Sequence, residues 1–208
     1  MRKITSGILL AVLCLSFTGI DNQETQVKKT AESQLQHMLA LIPTGQETNY
    51  GFASRDDFKK ATIGDVYRTI SFTNEFYQDK EISPSKNYIR IQNEWRVPVV
   101  VDGNNKILLT VFGQDTSLSV VDLGGSQLAA ELQTQTIGFE NKEKFILRVY
   151  PLGVDFLVLA DHGKDLSEAQ YIPMNSALSS ISGLKRKAMT QGDIYRIVKT
   201  ELAKPAKN

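Results

Sequence analysis

Residues 95–112 read WRVPVVVDGNNKILLTVF, and this stretch decides the fold. Val97, Val99 and Val101 alternate with Pro98, Val100 and Asp102. On the return, Ile107, Leu109 and Val111 alternate with Leu108, Thr110 and Phe112, so both faces of each run carry apolar groups. Branching at the β-carbon suits Val and Ile to a pleated strand. Between the runs, Asp102-Gly103-Asn104-Asn105 tolerates the positive φ that a reversal needs. The stretch predicts a β-hairpin buried on both sides. Pro98, with no N–H to donate, predicts an irregularity in the first strand.

Working outward, residues 117–123 form a third apolar run that meets Gly124-Gly125-Ser126, and residues 127–136 then carry Leu128, Ala129 and Leu132 on one helical side. The same order recurs downstream. Residues 144–150 and 154–160 are apolar runs joined at Pro151-Leu152-Gly153, residues 169–173 are a shorter one, and residues 190–203 place Ile194, Ile197, Val198 and Leu202 at helical spacing. Thr190, with Asp193 three residues on, is a candidate cap for that helix. Upstream, residues 65–73 alternate Val66, Arg68, Ile70 and Phe72 with Tyr67, Thr69 and Ser71, a strand with one drier face. Strands joined by short turns pair antiparallel. The predicted class is therefore α+β: an antiparallel β-sheet of two strand-strand-strand-helix halves, with the helices covering one of its faces.

The N-terminus reads differently. Met1-Arg2-Lys3 is basic and residues 4–17 are mostly apolar, a run too short to span a bilayer comfortably. That layout predicts a secretory signal peptide over residues 1–18, with Ser16 and Thr18 small enough to flank a cut, and hence export to a periplasmic or extracellular location. Cys14 follows Leu13, where a lipidation signal would place a small residue, so an ordinary leader residue is the preferred reading over a lipid anchor. No transmembrane segment is expected in the mature chain. Residues 19–45 are expected as an amphipathic helix with Val27, Ala31, Leu35, Met38, Leu39 and Ile42 on one face, ended by Pro43 and Gly45. His37 beside that stripe is expected to be a partly buried structural residue. Residues 46–208 are expected to form a single α+β domain.

Charge and cysteine content exclude several functions. Removing Arg2 and Lys3 with the leader leaves 22 basic residues against 23 acidic, a net charge of about −1, which argues against nucleic acid as a partner. The one cysteine, Cys14, lies in the leader, so the mature chain has neither an internal disulfide nor a cysteine nucleophile. About 190 residues remain, enough to bury roughly 70% of the unfolded surface without a staple. His37 and His162 stand 125 positions apart, which argues against a histidine-rich metal site, and no motif calls for a cofactor.

A few positions could carry chemistry. Gly124, Gly125 and Ser126, between a strand and a helix, could present free N–H groups to an anion, although a tight capped turn is the plainer reading. Asp161, His162 and Asp165 share one loop after the second half's strongest strand. A hydrolase could bring Ser126, or a carboxylate, to His162, but no nucleophile elbow supports it and a polar turn is again the plainer reading. Tyr50, Phe76, Tyr77 and Tyr88 lie in polar surroundings as possible contacts for a partner, or fold back on their own loops.

Gly51-Phe52, Ala61-Thr62-Ile63-Gly64, Trp95-Arg96-Val97-Pro98, Leu109-Thr110-Val111 and Gly124-Gly125-Ser126 together resemble small exported bacterial proteins of unknown function, over residues 50–135. The shared features are turns, a hairpin and a cap, so the resemblance implies no active site. The function expected from the sequence is an exported, non-enzymatic binding domain of the cell envelope whose partner is a protein, a peptide or a surface polymer. A secreted hydrolase and an inhibitor or pro-domain-like module for one are the alternatives.

Overall fold

A computed structural model describes residues 18–83, 86–114 and 117–205, with side chains from Gln23 onward. The expected leader, with Cys14, therefore lies outside the described residues. The first helix, α1, runs Thr18–Ala40, and its stripe Val27, Ala31, Leu35, Met38 and Leu39 is buried. His37 sits off that stripe and is exposed, because the positions on either side of it turn it to the solvent face. Short 3-10 turns at Glu47–Tyr50 and Arg55–Lys60 follow, the second capped by the Ser54 side chain, which accepts from the Asp56 N–H.

The strands are β1 (Thr62–Ile63), β2 (Tyr67–Phe72), β3 (Ile89–Val101), β4 (Asn104–Phe112), β5 (Ser119–Gly124), β6 (Glu143–Val149), β7 (Val154–Ala160) and β8 (Gln170–Pro173). Between them lie α2 (Asn74–Gln78) and α3 (Ser126–Gln135), and after them α4 (Asn175–Ser180) and α5 (Gln191–Leu202). All eight strands form one sheet in the order β5-β4-β3-β2-β6-β7-β8, with β1 paired to β3. Every pairing is antiparallel except β2 with β6, where the two halves meet. That parallel pair arises because the whole first half of the sheet lies between the two strands in sequence.

The hairpin closes on two residues, Asp102 (φ 49°) and Gly103 (φ 76°), while Asn104 already pairs with Val101. Positive φ at both positions matches the twist of the flanking strands. Pro98 lies in β3 beyond the end of β2, where its carbonyl accepts the Gly64 N–H at 2.8 Å, and the register of β3 on β4 shifts one residue further on, between Val99 and Val100. The missing proline donor is thereby placed where no long strand needs it.

Helices cover both faces of the sheet, where the sequence pattern led to one. The reason lies in the strands themselves, since Leu108, Ile146, Leu157 and Leu159 are apolar on the second face and need a cover. On the first face, α1 packs over Trp95, Val97, Val99, Leu109 and Val111, and α5 packs over Ile70, Phe72, Leu147, Phe156 and Val158. The α5 helix starts with a capping box: Thr190 Oγ1 accepts from the Asp193 N–H, and the Asp193 carboxylate accepts from the Thr190 N–H, both at 3.2 Å. On the second face, Ala129 and Leu132 of α3 cover Leu108, Ile146 and Leu157. The short α4 closes the start of β7, its Ala177 and the following Ile181 reaching the α5 core. Each face is left open in part.

Candidate functional site

On the α3 face the opening is a cleft of about 270 Å³, lined by Thr69, Glu94, Arg96, Glu131, Arg148, Asp155, Asn175 and Ser176 with Gly125, Gln127 and Leu128 of the α3 start. Its strand-borne charges, Glu94, Arg96, Arg148 and Asp155, come from β3, β6 and β7 on the face that Leu108 and Ile146 also occupy, and Glu131 comes from α3. Arg96 lies between Glu94 Oε1, at 3.1 Å, and Thr110 Oγ1, to which it donates at 2.6 Å, and Thr69 Oγ1 donates to the same Glu94 oxygen. Arg148 donates to both oxygens of Asp155, at 2.9 and 3.1 Å. Asp155 is 4% exposed, and burial pushes its carboxyl pKa above the ordinary 3.8, with Arg148 pulling the other way. Glu131 accepts from the Asn175 N–H and from Arg186, tying α3 to the start of α4. Tyr150 stands exposed within the field of Glu94, Arg96, Arg148 and Asp155, and partial burial raises its hydroxyl pKa. Arg96, Arg148 and Arg186 are thus each matched by a carboxylate.

On the α1/α5 face the opening is a groove of about 610 Å³ between the two helix-covered halves. Its floor is Val66, Arg68, Ile91, Trp95 and Phe145, and its walls are the start of α1, the run from Glu140 to Lys144 and the loop from His162 to Leu166. Arg68 occupies an irregular place in the sheet. From the pair Arg68/Trp95 to the pair Ile70/Ile91, β2 advances two residues while β3 advances four. The guanidinium lies over the Trp95 ring, 5.3 Å from its centroid, and Nε donates to the Gln92 carbonyl at 3.2 Å. Ile91, paired to β2 but beyond the reach of β4, is 49% exposed.

The sequence candidates fall into these two openings and outside them. Gly125 lines the cleft with φ 73°, the left-handed conformation that lets the chain turn from β5 into α3. Gly124 precedes it at the end of β5, and Ser126 opens α3, which has no side-chain N-cap. His162 and Asp165 line the groove, on the other side of the sheet, and so Ser126 and His162 are not brought together. His162 Nδ1 stands 3.4 Å from Glu143 Oε1, Asp161 pairs with Lys142, and Asp165 caps the turn that follows it by accepting from the Ser167 N–H. Phe76 and Tyr88, weighed in the sequence as possible partner contacts against rings folded back on their loops, are 0% and 1% exposed. They pack with Phe72 and Tyr195, Phe76 stacking on Phe72 at 3.9 Å. Burying four rings together outweighs the polar residues around them in sequence. Tyr50 and Tyr77 remain half-buried at the margins of the two core regions.

The sequence reading missed Arg68, Arg96, Arg148 and Asp155. Two of them carried a signal: Arg68 lies on the drier face of its strand beside Val66 and Ile70, and Asp155 interrupts the apolar run VDFLVLA. Among the described residues no group of three or more His, Cys, Asp or Glu is placed to hold a metal ion. Nor is any described helix long and apolar enough to cross a membrane. No family model, curated protein or solved structure matches the chain.

Proposed function

We propose that the chain is an exported, non-enzymatic binding domain of the bacterial cell envelope, and that the groove on the α1/α5 face is its binding surface. The observation that supports this most is the groove floor, where half-buried Phe145, exposed Ile91 and Arg68 over Trp95 stand open between two helix-covered cores. A volume of about 610 Å³ falls within the usual range for small-molecule sites and suits a short segment of a partner equally well. Pull-down from envelope extract should give a saturable partner, and Ile91→Asp should abolish its capture while the thermal midpoint stays within a few degrees. Saturable capture that is indifferent to Ile91→Asp would move the binding surface elsewhere, and a measured turnover without any partner would end the reading.

One observation favours a hydrolase instead. Asp155 is a buried carboxyl lining the cleft, its pKa raised by burial against the opposing pull of Arg148, and it is the carboxylate such a hydrolase would use. On that reading Asp155→Asn abolishes any hydrolytic activity detected. A module that restrains another secreted hydrolase belongs with the binding reading and is separated by an inhibition assay.

A further inference from the structure

The charges around the groove are almost all neutralised in place. Lys142 pairs with Asp161, Lys144 lies 2.9 Å from Asp65, Lys164 lies 3.7 Å from Glu168, and His162 faces Glu143. The remaining acids are engaged as well: Glu24 with Lys28, Glu140 with the Gly138 N–H, and Asp165 with the Ser167 N–H. Arg68 is the exception. Among the described residues no carboxylate lies within ion-pair distance of it, and one N–H of its five is used, on the Gln92 carbonyl. No buried side-chain nitrogen or oxygen among the described residues lacks a partner, so the free N–H groups of Arg68 are ones the groove leaves open. Burial lowers the pKa of this guanidinium and none of the surrounding carboxylates offsets that cost, as a nearby acid would.

The geometry of this arginine is that of a prepared fork. The guanidinium carbon lies over the Trp95 ring and Nε donates to the Gln92 carbonyl, two contacts that restrain the head group while its terminal N–H groups stay unused. Two parallel N–H groups on a planar cation match the two oxygens of a carboxylate. Beside the fork lie exposed Ile91 and half-buried Phe145 and Leu166, which offer apolar contact within the same groove. From this we infer that the groove binds a carboxylate that has an apolar group next to it, with Arg68 as the anchor of the carboxylate. The inference rests on the groove being the binding surface. Two sources supply that chemistry: the C-terminus of a peptide ending in an apolar residue, and an acyl-chain acid. The paired charges along the walls can hydrogen-bond backbone amides, which places the peptide end first.

Trp95 is the single tryptophan of the chain and lies under Arg68, so its fluorescence reports occupancy directly. The test titrates the protein with acetyl-Ala-Ala-Leu as the free acid, the same peptide as its C-terminal amide, octanoate, and inorganic phosphate. The free acid should give a saturable change, the amide should bind about tenfold or more weaker, and Arg68→Gln should lose the same factor for the acid and little for the amide. Arg68→Lys, which keeps the charge and loses the fork, should fall between. Tighter binding of the tripeptide acid than of octanoate identifies the peptide end, and the reverse order identifies an acyl acid. Equal binding of acid and amide to the unaltered protein overturns the carboxylate assignment and leaves the groove reading standing. Phosphate binding as tightly as the acid overturns it in favour of a general oxyanion site. If acid, amide and octanoate all leave Trp95 unchanged at millimolar concentration, both the inference and the groove reading fail.

Discussion

The two openings of the sheet handle buried charge in opposite ways. In the cleft, Arg96 is matched by Glu94, Arg148 by Asp155 and Arg186 by Glu131, so the ionic groups there complete one another. In the groove, the pairs stand along the walls, and among the described residues no acid lies within ion-pair distance of the floor's arginine, Arg68. A paired buried charge is a structural commitment, and losing one partner leaves the other stranded. An unpaired one has no partner to strand when it is removed. The difference predicts that removing charges from the cleft costs stability, whereas removing Arg68 from the groove does not.

The largest effect should come from Arg148→Met. Asp155 has a side chain 6% exposed and would lose both hydrogen bonds from Arg148, so the cost is about 3 kcal/mol, the low end for a broken buried pair because Arg148 itself is partly exposed. For a chain of this length that lowers the thermal midpoint by about 6–12 °C at neutral pH. The pH dependence follows from the sign of the Asp155 shift. Its folded pKa lies above the unfolded value near 3.8, so the folded state holds its proton more tightly, and stability falls as pH rises through the interval between the two values. Removing Arg148 raises the folded pKa further and widens that interval. The deficit of the variant should therefore shrink on acidification, as read by denaturant unfolding from pH 7 down to pH 4. In the double variant Arg148→Met/Asp155→Leu most of the loss should return, because no stranded charge remains. A loss independent of pH and of Asp155 would mean that Arg148 acts through packing alone.

Glu131→Ala should come next, at about 1–2 kcal/mol. It strands Arg186 and leaves the Asn175 N–H without its acceptor, but Arg186 keeps Asn175 Oδ1 and some access to water. Loosened attachment of α4 should show as faster hydrogen exchange at the Asn175, Ser176 and Ala177 amides, with α5 unaffected. Uniform exchange across both helices would break the separation of the α4 contact from the core.

What the sequence revealed and what it hid have physical causes. The hairpin over residues 95–112 was legible because its two strands are joined by Asp102-Gly103, so the turn chemistry and the alternation both lie within one short window. The box at Thr190 and Asp193 was legible for the same reason. The parallel pairing of β2 with β6 was not, since Arg68 and Phe145 meet across the entire first half and no local pattern encodes a partner at that distance. Both openings depend on that pairing. Arg68 reaches the groove beside Phe145 because their strands pair, and Thr69 reaches the cleft beside Ile146 likewise. The Gly125 turn and the His162 loop were singled out from local pattern and do border the two openings, while the residues at the centre of each are isolated charges within strands. Such charges ordinarily face water, and only the second layer of helices shows that they do not.

The smallest effect on stability is the one that discriminates most. Arg68→Gln gives up the hydrogen bond to the Gln92 carbonyl, a net of about 1 kcal/mol, and the contact with Trp95, about 0.5–1 kcal/mol for a partly exposed cation. Against this it removes the desolvation of a half-buried charge that no acid among the described residues offsets, and glutamine keeps an amide able to reach the same carbonyl. The terms nearly cancel, so unfolding in urea should place the variant within about 0.5 kcal/mol of the unaltered protein, with an unchanged slope. A mutation this silent in folding, made on the central strand of the sheet, would mark Arg68 as a residue kept for something other than the fold. A loss of 2 kcal/mol or more would show instead that the guanidinium holds the irregular junction of β2 and β3 together. The contrast between cleft and groove would then reduce to two ways of bracing one sheet.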